Sequence, residues 1–422
     1  MNGDILSSEV MMIGIDLPKP FPLAFGTLST LPRVFLTLTF EGNMGEPIKA
    51  IGEASIDFPF SHYDAWDVYY ALNQLSFIGL NVNSRMEILT SEAFRKILEY
   101  PASFAALNMA LDDAYGQLNH VSVPDLYGQY RDTGIVLESI SMPKDHLSLK
   151  HELGRVYDKG NVPKLKCGQK VEVDIQFLRQ SIQIAKERGV QFAVDFNAAH
   201  TIAEFDRIAE ALAETQMEEE LILFLEQPTL DALGIDGLVQ AKQALSKLGL
   251  SIPVMADESF VTNDNALECH MLGIVLNYKI QKVGGILVAT EIEQSLKGVI
   301  SNSMVGGTFP TAIGRVWDQQ GICVLSSATL PCDAWQPSSD WFSGDRHLIE
   351  ESFDGKAFIA DGLGITVRWD LLERYKVNDP EEEYRLIRNG KSGNQIQILL
   401  REGISYSELY RKLNDKDSNW NL

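Results

Sequence analysis

Cysteine is scarce in this chain of 422 residues, with only Cys167, Cys269, Cys323 and Cys332 present. Four thiols without metal-ligand spacing exclude a disulfide framework, and they read as buried, reduced cysteines of a cytoplasmic protein. Positive charge is also short. Against 58 Asp and Glu stand 36 Lys and Arg, a net charge of −22. So acidic a surface repels nucleic acid and anionic membranes, and neither is expected as a partner. No apolar run approaches the roughly 18 residues of a membrane span. The opening MNGDILSSEVMMIGIDL has no basic stretch before its apolar part, so no signal peptide is expected. There is no low-complexity tract and no long repeat. What remains is ordinary globular material, 45% hydrophobic and 22% charged, enough for a sizeable core.

What the chain does have is a rhythm. Between Lys164 and Gly285, short apolar runs each end in a charge: PKLKCG with Lys166, FAVDFN with Asp195, ILFLEQP with Glu226, IPVMADE with Asp257, IVLNYKI with Lys279. Asp195, Glu226 and Asp257 are spaced by 31 residues and 31 again. A strand, a helix and their two loops take about 30 residues. With VLESISM, NSMVGG and ATLPCDAW added, eight strands alternate with amphipathic segments such as VDIQFLRQSIQIAKERG. That pattern predicts a (β/α)8 TIM barrel over 134–345. An open doubly wound sheet is the rival, but no Gly-rich phosphate fingerprint follows the first strand.

Before the barrel, residues 9–57 alternate like strands of an antiparallel meander, and 63–118 turn helical. Residues 1–133 therefore form an α+β capping domain. The Gly/Pro/Phe-rich stretch 18–32 reads as a loop, either a plain connection or a flap over a site. After the barrel, 346–377 reads as two short strands returning to the capping domain. Residues 378–422 are a charged, turn-rich extension with no assigned chemistry.

Active sites of such barrels lie at the C-terminal strand ends. Three converging carboxylates raise one another's pKa unless a cation joins them, and an all-oxygen trio suits a hard ion such as Mg²⁺ better than Zn²⁺. Lys166 lies one strand before the trio and Lys279 one strand after. Near a divalent cation an amine can serve as a base at neutral pH. Two readings stay open here: removal of a proton α to a carboxylate, or an ion-pair network that only neutralises the acids.

The motifs themselves resemble the enolase superfamily, within it the muconate-lactonizing-enzyme subgroup. The likeness rests on Lys164-Leu165-Lys166, Asp195-Phe196-Asn197, Glu226-Gln227-Pro228, Ala256-Asp257-Glu258-Ser259, and Asn277-Tyr278-Lys279 with the trailing Lys282-Val283-Gly284-Gly285. FAALNMALDDAYGQLNHVSVPDLYG and GEAS at 52–55 extend it over about residues 9–377.

The resemblance implies an isomerase with a metal-stabilised enediolate, using Mg²⁺ with Mn²⁺ as a substitute. Asp195, Glu226 and Asp257 would be its ligands, and Lys166 and Lys279 the acid/base pair. Lys164, Asn197, Asn277, Glu258 and Lys282 would support metal or substrate. It implies a lid at 18–32 with Phe21 and Phe25 facing a small-molecule carboxylate, and it allows a homo-oligomer. The reaction would be a racemisation or epimerisation of an amino-acid derivative or dipeptide-like acid, or a cycloisomerisation. A dehydration of the o-succinylbenzoate synthase type and an inert metal-binding barrel are the alternatives.

Departures from the pattern fall where substrate is chosen. One departure lies elsewhere, in the helix-and-turn signature before the barrel, where Asn108 stands in place of a usual acid. Phe309 and Pro310 follow the seventh strand, with Pro310 at the place of a usual glutamate. Asp333-Ala334-Trp335 keeps only the first acid of an Asp-x-Asp, so Trp335 is an aromatic wall or a core plug. His200 is either near the site or a loop histidine.

Overall fold

The computed structural model describes residues 2–377 apart from 24–25, 57–60, 62, 144, 217–218, 297–301, 338–343, 345–346 and 353–355. The extension 378–422 lies outside the described residues.

The chain begins with an antiparallel sheet, β1 (Ile5–Leu23), β2 (Gly26–Glu41) and β3 (Pro47–Ala54), in that order. Alternation sends its two faces to different cores. Ile13, Ile15, Phe35 and Ile51 join the barrel core, whereas Met12, Val34, Leu36 and Ala50 pack with the helices of the cap. The stretch expected as a loop at 18–32 is instead mostly ladder. β1 and β2 pair at Phe21↔Leu28 and Leu23↔Gly26, with a register shift between Asp16 and Phe21. Two prolines, Pro18 and Pro20, remove donors there, which accounts for the irregular register.

The cap's central helix, Pro101–Asn119, starts with proline at its first turn and ends at His120 in the left-handed region (φ 56°). It is buried along most of its length and lies across β3. Gly52 makes that approach possible. A Cβ there would stand 1.9 Å from the Ala106 carbonyl oxygen.

The second layer is a parallel sheet of seven strands in chain order: β4 (Leu137–Ser141), β5 (Val162–Lys166), β6 (Phe192–Asp195), β7 (Ile222–Glu226), β8 (Val254–Ala256), β9 (Val275–Lys279) and β10 (Ser303–Gly306). The strands are mostly apolar and buried, as a parallel sheet covered on both faces requires. Its helices carry readable ends. Thr201 and Glu204 form a capping box on Ile202–Glu214, and Gly189 ends Val171–Arg188 in the left-handed region.

The eighth expected strand, Ala328–Trp335, is not one. Pro331 cannot donate, and Asp333–Trp335 coils into a 3₁₀ turn. The segment still bridges the sheet's two edges. Cys332 exchanges hydrogen bonds with Ile135 and Leu137 on one side, and Leu330 N donates to Ser303 O on the other (3.2 Å). The TIM-barrel fold is thus present with an irregular eighth segment.

Among the described residues after 346, the pairing consists of isolated bridges, one within the segment (Ile349↔Val367) and three to earlier residues (Thr133↔Lys356, Ser122↔Gly362, Ile13↔Lys376), followed by a helix, Trp369–Tyr375. The four cysteines are buried free thiols. Among the described residues no helix is long and apolar enough to cross a membrane.

Because Gly52 admits the helix at so short a distance, Gly52→Ala is expected to lower unfolding free energy by about 2–4 kcal/mol through forced displacement. Urea denaturation measures it. An unchanged midpoint would show that the cap tolerates a wider spacing.

Candidate active site

Strand register sets the site. Lys166 pairs with Asp195, Asp195 with Glu226, and Gly306 with Lys279. Asp257 follows β8 by one residue. These charges therefore reach the same end of neighbouring strands, as their spacing predicts.

The acids are held by amines. Lys166 Nζ lies 2.5 Å from Asp195 Oδ2. Lys164 Nζ, only 2% exposed, donates to Glu226 Oε2 (2.9 Å) and Asp333 Oδ2 (2.7 Å), with Asp195 at 3.7 Å. Across the ring, Lys279 Nζ stands 2.8 Å from Asp257 Oδ2 and Lys282 Nζ 2.7 Å from Oδ1. Asn277 Nδ2 donates to Glu226 Oε1 (2.7 Å). Asn197, at φ 47°, donates its backbone N–H to Asp195 Oδ1 (2.8 Å). A second non-glycine residue in the left-handed region, Gln227 (φ 37°), ties two strand ends together. Its Oε1 accepts from Asp257 N and Ser259 N, each at 3.1 Å. Strained residues of this kind concentrate where side chains must be aimed.

Burial and neighbours divide the titrations. Burial opposes the charge of Lys164, yet Asp333, Glu226 and Asp195 outweigh it and hold the ammonium well above its ordinary range. Burial likewise works against Asp195 and Asp257. Lys166 and Lys164 overcome it at Asp195, and Lys279 and Lys282 at Asp257, so both carboxyls lie below the usual range. At Glu226 burial and the nearby Asp195 prevail and push the carboxyl up to about 7. Glu258 is pushed well above its range by burial and the adjacent Asp257.

Among the described residues no three His, Cys, Asp or Glu side chains form a ready-made cation cage. The donor chemistry nevertheless fits a hard divalent cation. Asp195, Glu226 and Asp257 supply carboxylate oxygens only, and Glu258 Oε2 beside them is buried without a hydrogen-bond partner.

The other candidates separate. Asp333 joins the Lys164 cluster. Trp335, 1% exposed, is a core plug: a Cβ on Gly134 would stand 2.0 Å from its Nε1, so the indole fills the space that glycine leaves and offers substrate no surface. His200 belongs to the loop reading, with Nε2 2.9 Å from the buried Asp174 Oδ2 and its ring against Phe196. Phe309 sits at φ 54°, its carbonyl taken by Arg33 (2.6 Å). Pro310 lies in the turn before the helix Ala312–Val324, away from the strand end. The residue facing Lys279 at the end of β10 is Gly306. Phe21 is in β1 and Phe25 falls outside the described residues. Asn108 accepts from Leu287 N (2.9 Å), joining cap to barrel.

Residues that sequence reasoning missed lie on the seam between cap and barrel. Glu53 accepts from Thr311 N, Thr311 Oγ1 and Gly314 N (2.8, 2.5 and 2.8 Å) and so caps the helix Ala312–Val324 from the other layer. Only its place in GEAS hinted at this.

A parallel barrel under an α+β cap, with acids and lysines gathered at the strand ends, places the chain in the class of capped (β/α)8 folds, whose active sites lie at that end. Within it, residues 150–371, just over half the chain, match the family model described as enolase C-terminal domain-like, and the chain belongs to that family. It is 29% identical over 301 residues to the hydrophobic dipeptide epimerase of Enterococcus faecalis, spanning 69% of this chain and 79% of that one. To the L-Ala-D/L-Glu epimerase of Francisella tularensis subsp. novicida it is 27% identical over 84% of this chain and 99% of that one. The muconate lactonizing enzyme from Pseudomonas fluorescens, solved with muconolactone, shares its fold at a TM-score of 0.72 and 19% identity, covering 89% and 100% of the two chains.

Glu226 has a readable pH consequence. Its folded pKa is raised, so its contribution to stability is full below about 4.5 and is lost as pH rises towards about 7. Asp195 and Asp257 act oppositely and only at lower pH, below their ordinary range. The cation-free protein is expected to lose thermal stability between pH 4.5 and 7, and Glu226→Gln to flatten that slope. An unchanged slope in the variant would assign the titration elsewhere.

Proposed function

We propose that this protein is a divalent-cation-dependent isomerase that removes the proton α to a substrate carboxylate and returns one from the opposite face. The observation that carries this reading is the placement of Lys166 and Lys279 on strands separated by β6, β7 and β8, which bear the three acids. Asp195, Glu226 and Asp257 would hold the cation, Mg²⁺ or Mn²⁺. When bound, it supplies Lewis-acid stabilisation of the negative charge that develops on the substrate carboxylate.

The rest is done by the chain. One lysine takes the α-proton at Nζ, and the other delivers a proton at its own Nζ to the far face. Lys164 stays protonated between Glu226 and Asp333 and adds fixed positive charge beside the developing oxyanion. Asn277 orients Glu226, and Lys282 fixes Asp257 through its side chain and its carbonyl (2.7 and 2.6 Å). The β1–β2 hairpin would cover the mouth and exclude water.

A two-sided pair of amines supports racemisation or epimerisation. The dipeptide epimerases among the relatives support an amino-acid derivative or dipeptide as substrate. Cycloisomerisation would need only one of the two lysines, to move a proton at the same α-carbon.

Solvent deuterium should enter the α-carbon of an N-acyl amino acid, dipeptide or related acid when Mg²⁺ is present. Lys166→Ala and Lys279→Ala are each expected to cut racemisation by about 10³-fold or more, while Mg²⁺ affinity measured by calorimetry stays nearly unchanged. Full racemisation in both directions by either variant would end the two-base reading.

A further inference from the structure

One cation of the barrel is paired only at the edge of contact distance. Arg315, on the helix Ala312–Val324, is 7% exposed. Its Nε and Nη1 are enclosed without a hydrogen-bond partner, and among the described residues no acceptor reaches its guanidinium. Its ionic neighbour Asp318 is 3.8 Å away, too far for a hydrogen bond, and both Asp318 oxygens are also enclosed without a donor. A guanidinium carries five N–H groups and does not lose its proton, so enclosing the N–H groups of Nε and Nη1 unsatisfied is costly unless something else supplies the acceptors.

Its position says what that could be. The guanidinium lies against Gly307, where a Cβ would stand 2.7 Å from Nη1 and 2.9 Å from Nη2. Gly307 follows Gly306, the strand-end residue paired with Lys279. A Cβ on Gly306 would stand 2.6 Å from Asn277 Oδ1, on the amide that donates to Glu226. Two consecutive glycines thus end the strand without side chains of their own, one packed by the Asn277 amide of the Lys279 strand and the next by the Arg315 guanidinium. Near Arg315 the unmet polar groups continue: Thr308 Oγ1, Asp333 Oδ1 and Asn277 Oδ1 have no partner. Burial pushes the Asp318 carboxyl up to about 8 in spite of Arg315, with Glu53 and Asp333 adding to the rise, so at neutral pH it compensates Arg315 only in part.

We propose that Arg315 determines specificity by receiving a second carboxylate of the substrate, remote from the one whose α-proton is removed. This rests on reading the site as one that deprotonates a carboxylic acid. The second carboxylate can come from the acidic side chain of an amino-acid derivative or from the far end of a linear diacid.

The test is calorimetric binding to the full chain in Mg²⁺ buffer. One arm compares N-acetylglutamate with N-acetylglutamine. The other compares a hexadienedioic acid with its monoamide. The unsubstituted protein is expected to bind at least one diacid about 10-fold or more tighter than its neutral partner, and the arm that shows this names the source. Arg315→Met is expected to weaken that diacid by about 10- to 100-fold and leave the neutral ligand unchanged, with Arg315→Lys in between. Equal binding of diacid and neutral ligand by the unsubstituted protein, or equal weakening of both by Arg315→Met, overturns the proposal. Should Arg315→Met not fold, Arg315→Lys decides, since loss of the bidentate fork must weaken the diacid alone. Diacid binding that follows Arg315 without any α-proton exchange leaves this proposal standing and removes the isomerase reading instead.

Discussion

Everything in this structure answers to one electrostatic problem: acidic side chains buried together at neighbouring strand ends. Asp195, Glu226 and Asp257 are each no more than 2% exposed. Charges so placed persist only when opposite charges are supplied at contact distance. The fold supplies amines from both sides, Lys164 and Lys166 from β5, Lys279 from β9 and Lys282 from the short helix Ile280–Val283 after it. The compensation is uneven. Asp257 has two lysines to itself, whereas Glu226 shares Lys164 with Asp333 and Asp195 and titrates highest of the three. A site whose acids differ this much presents one end that is already neutralised and one that still calls for positive charge.

The cap exists in relation to that ring. Glu53 from β3 enters the N-terminal turn of the helix Ala312–Val324, Ser55 Oγ donates to Thr308 O (2.9 Å), and Arg33 holds the carbonyl of Phe309. These bonds join β2 and the end of β3 to the turn after β10. The left-handed backbone of Phe309 costs roughly 1–2 kcal/mol, which the clamp around it must offset. The turn after β10, against which Arg315 packs, is thus held by residues of the other layer.

The legible and illegible parts divide along the same line. Strand ends of a parallel barrel recur at a fixed chain interval, so Asp195, Glu226, Asp257, Lys166 and Lys279 could be read from spacing and motif alone. The antiparallel cap was legible from alternation. Trp335 could not be settled because its environment is Gly134, some two hundred residues earlier, and no local pattern announces a close approach of that kind. The 18–32 stretch was read as loop because its prolines and glycine weigh heavily in a local reading, whereas the ladder with β1 tolerates them at the edge of a register shift. Glu53, Arg33 and Arg315 escaped for a shared reason. Each is an ordinary charged residue in an ordinary strand or helix, and its meaning lies in a contact with the other layer or in the lack of one.

The regular and irregular halves of the ring also divide the work. From β5 to β9 the strand ends stay aligned in spite of a register shift between β6 and β7 at Phe192 and Val194, and that alignment brings two amines and three acids to the same end of the barrel. From β10 onward the regularity lapses. Gly306 and Gly307 carry no side chains, Pro310 and Phe309 bend the following turn, and Pro331 breaks the eighth strand to a single bridge. In this irregular half Asp333 meets Lys164, and among the described residues Arg315 Nε and Nη1 have no hydrogen-bond acceptor. Chemistry that depends on distances between reacting atoms needs the rigid half. Selection among acids needs only that one end of the substrate meet a charge, and the irregular half can alter that without disturbing the proton path.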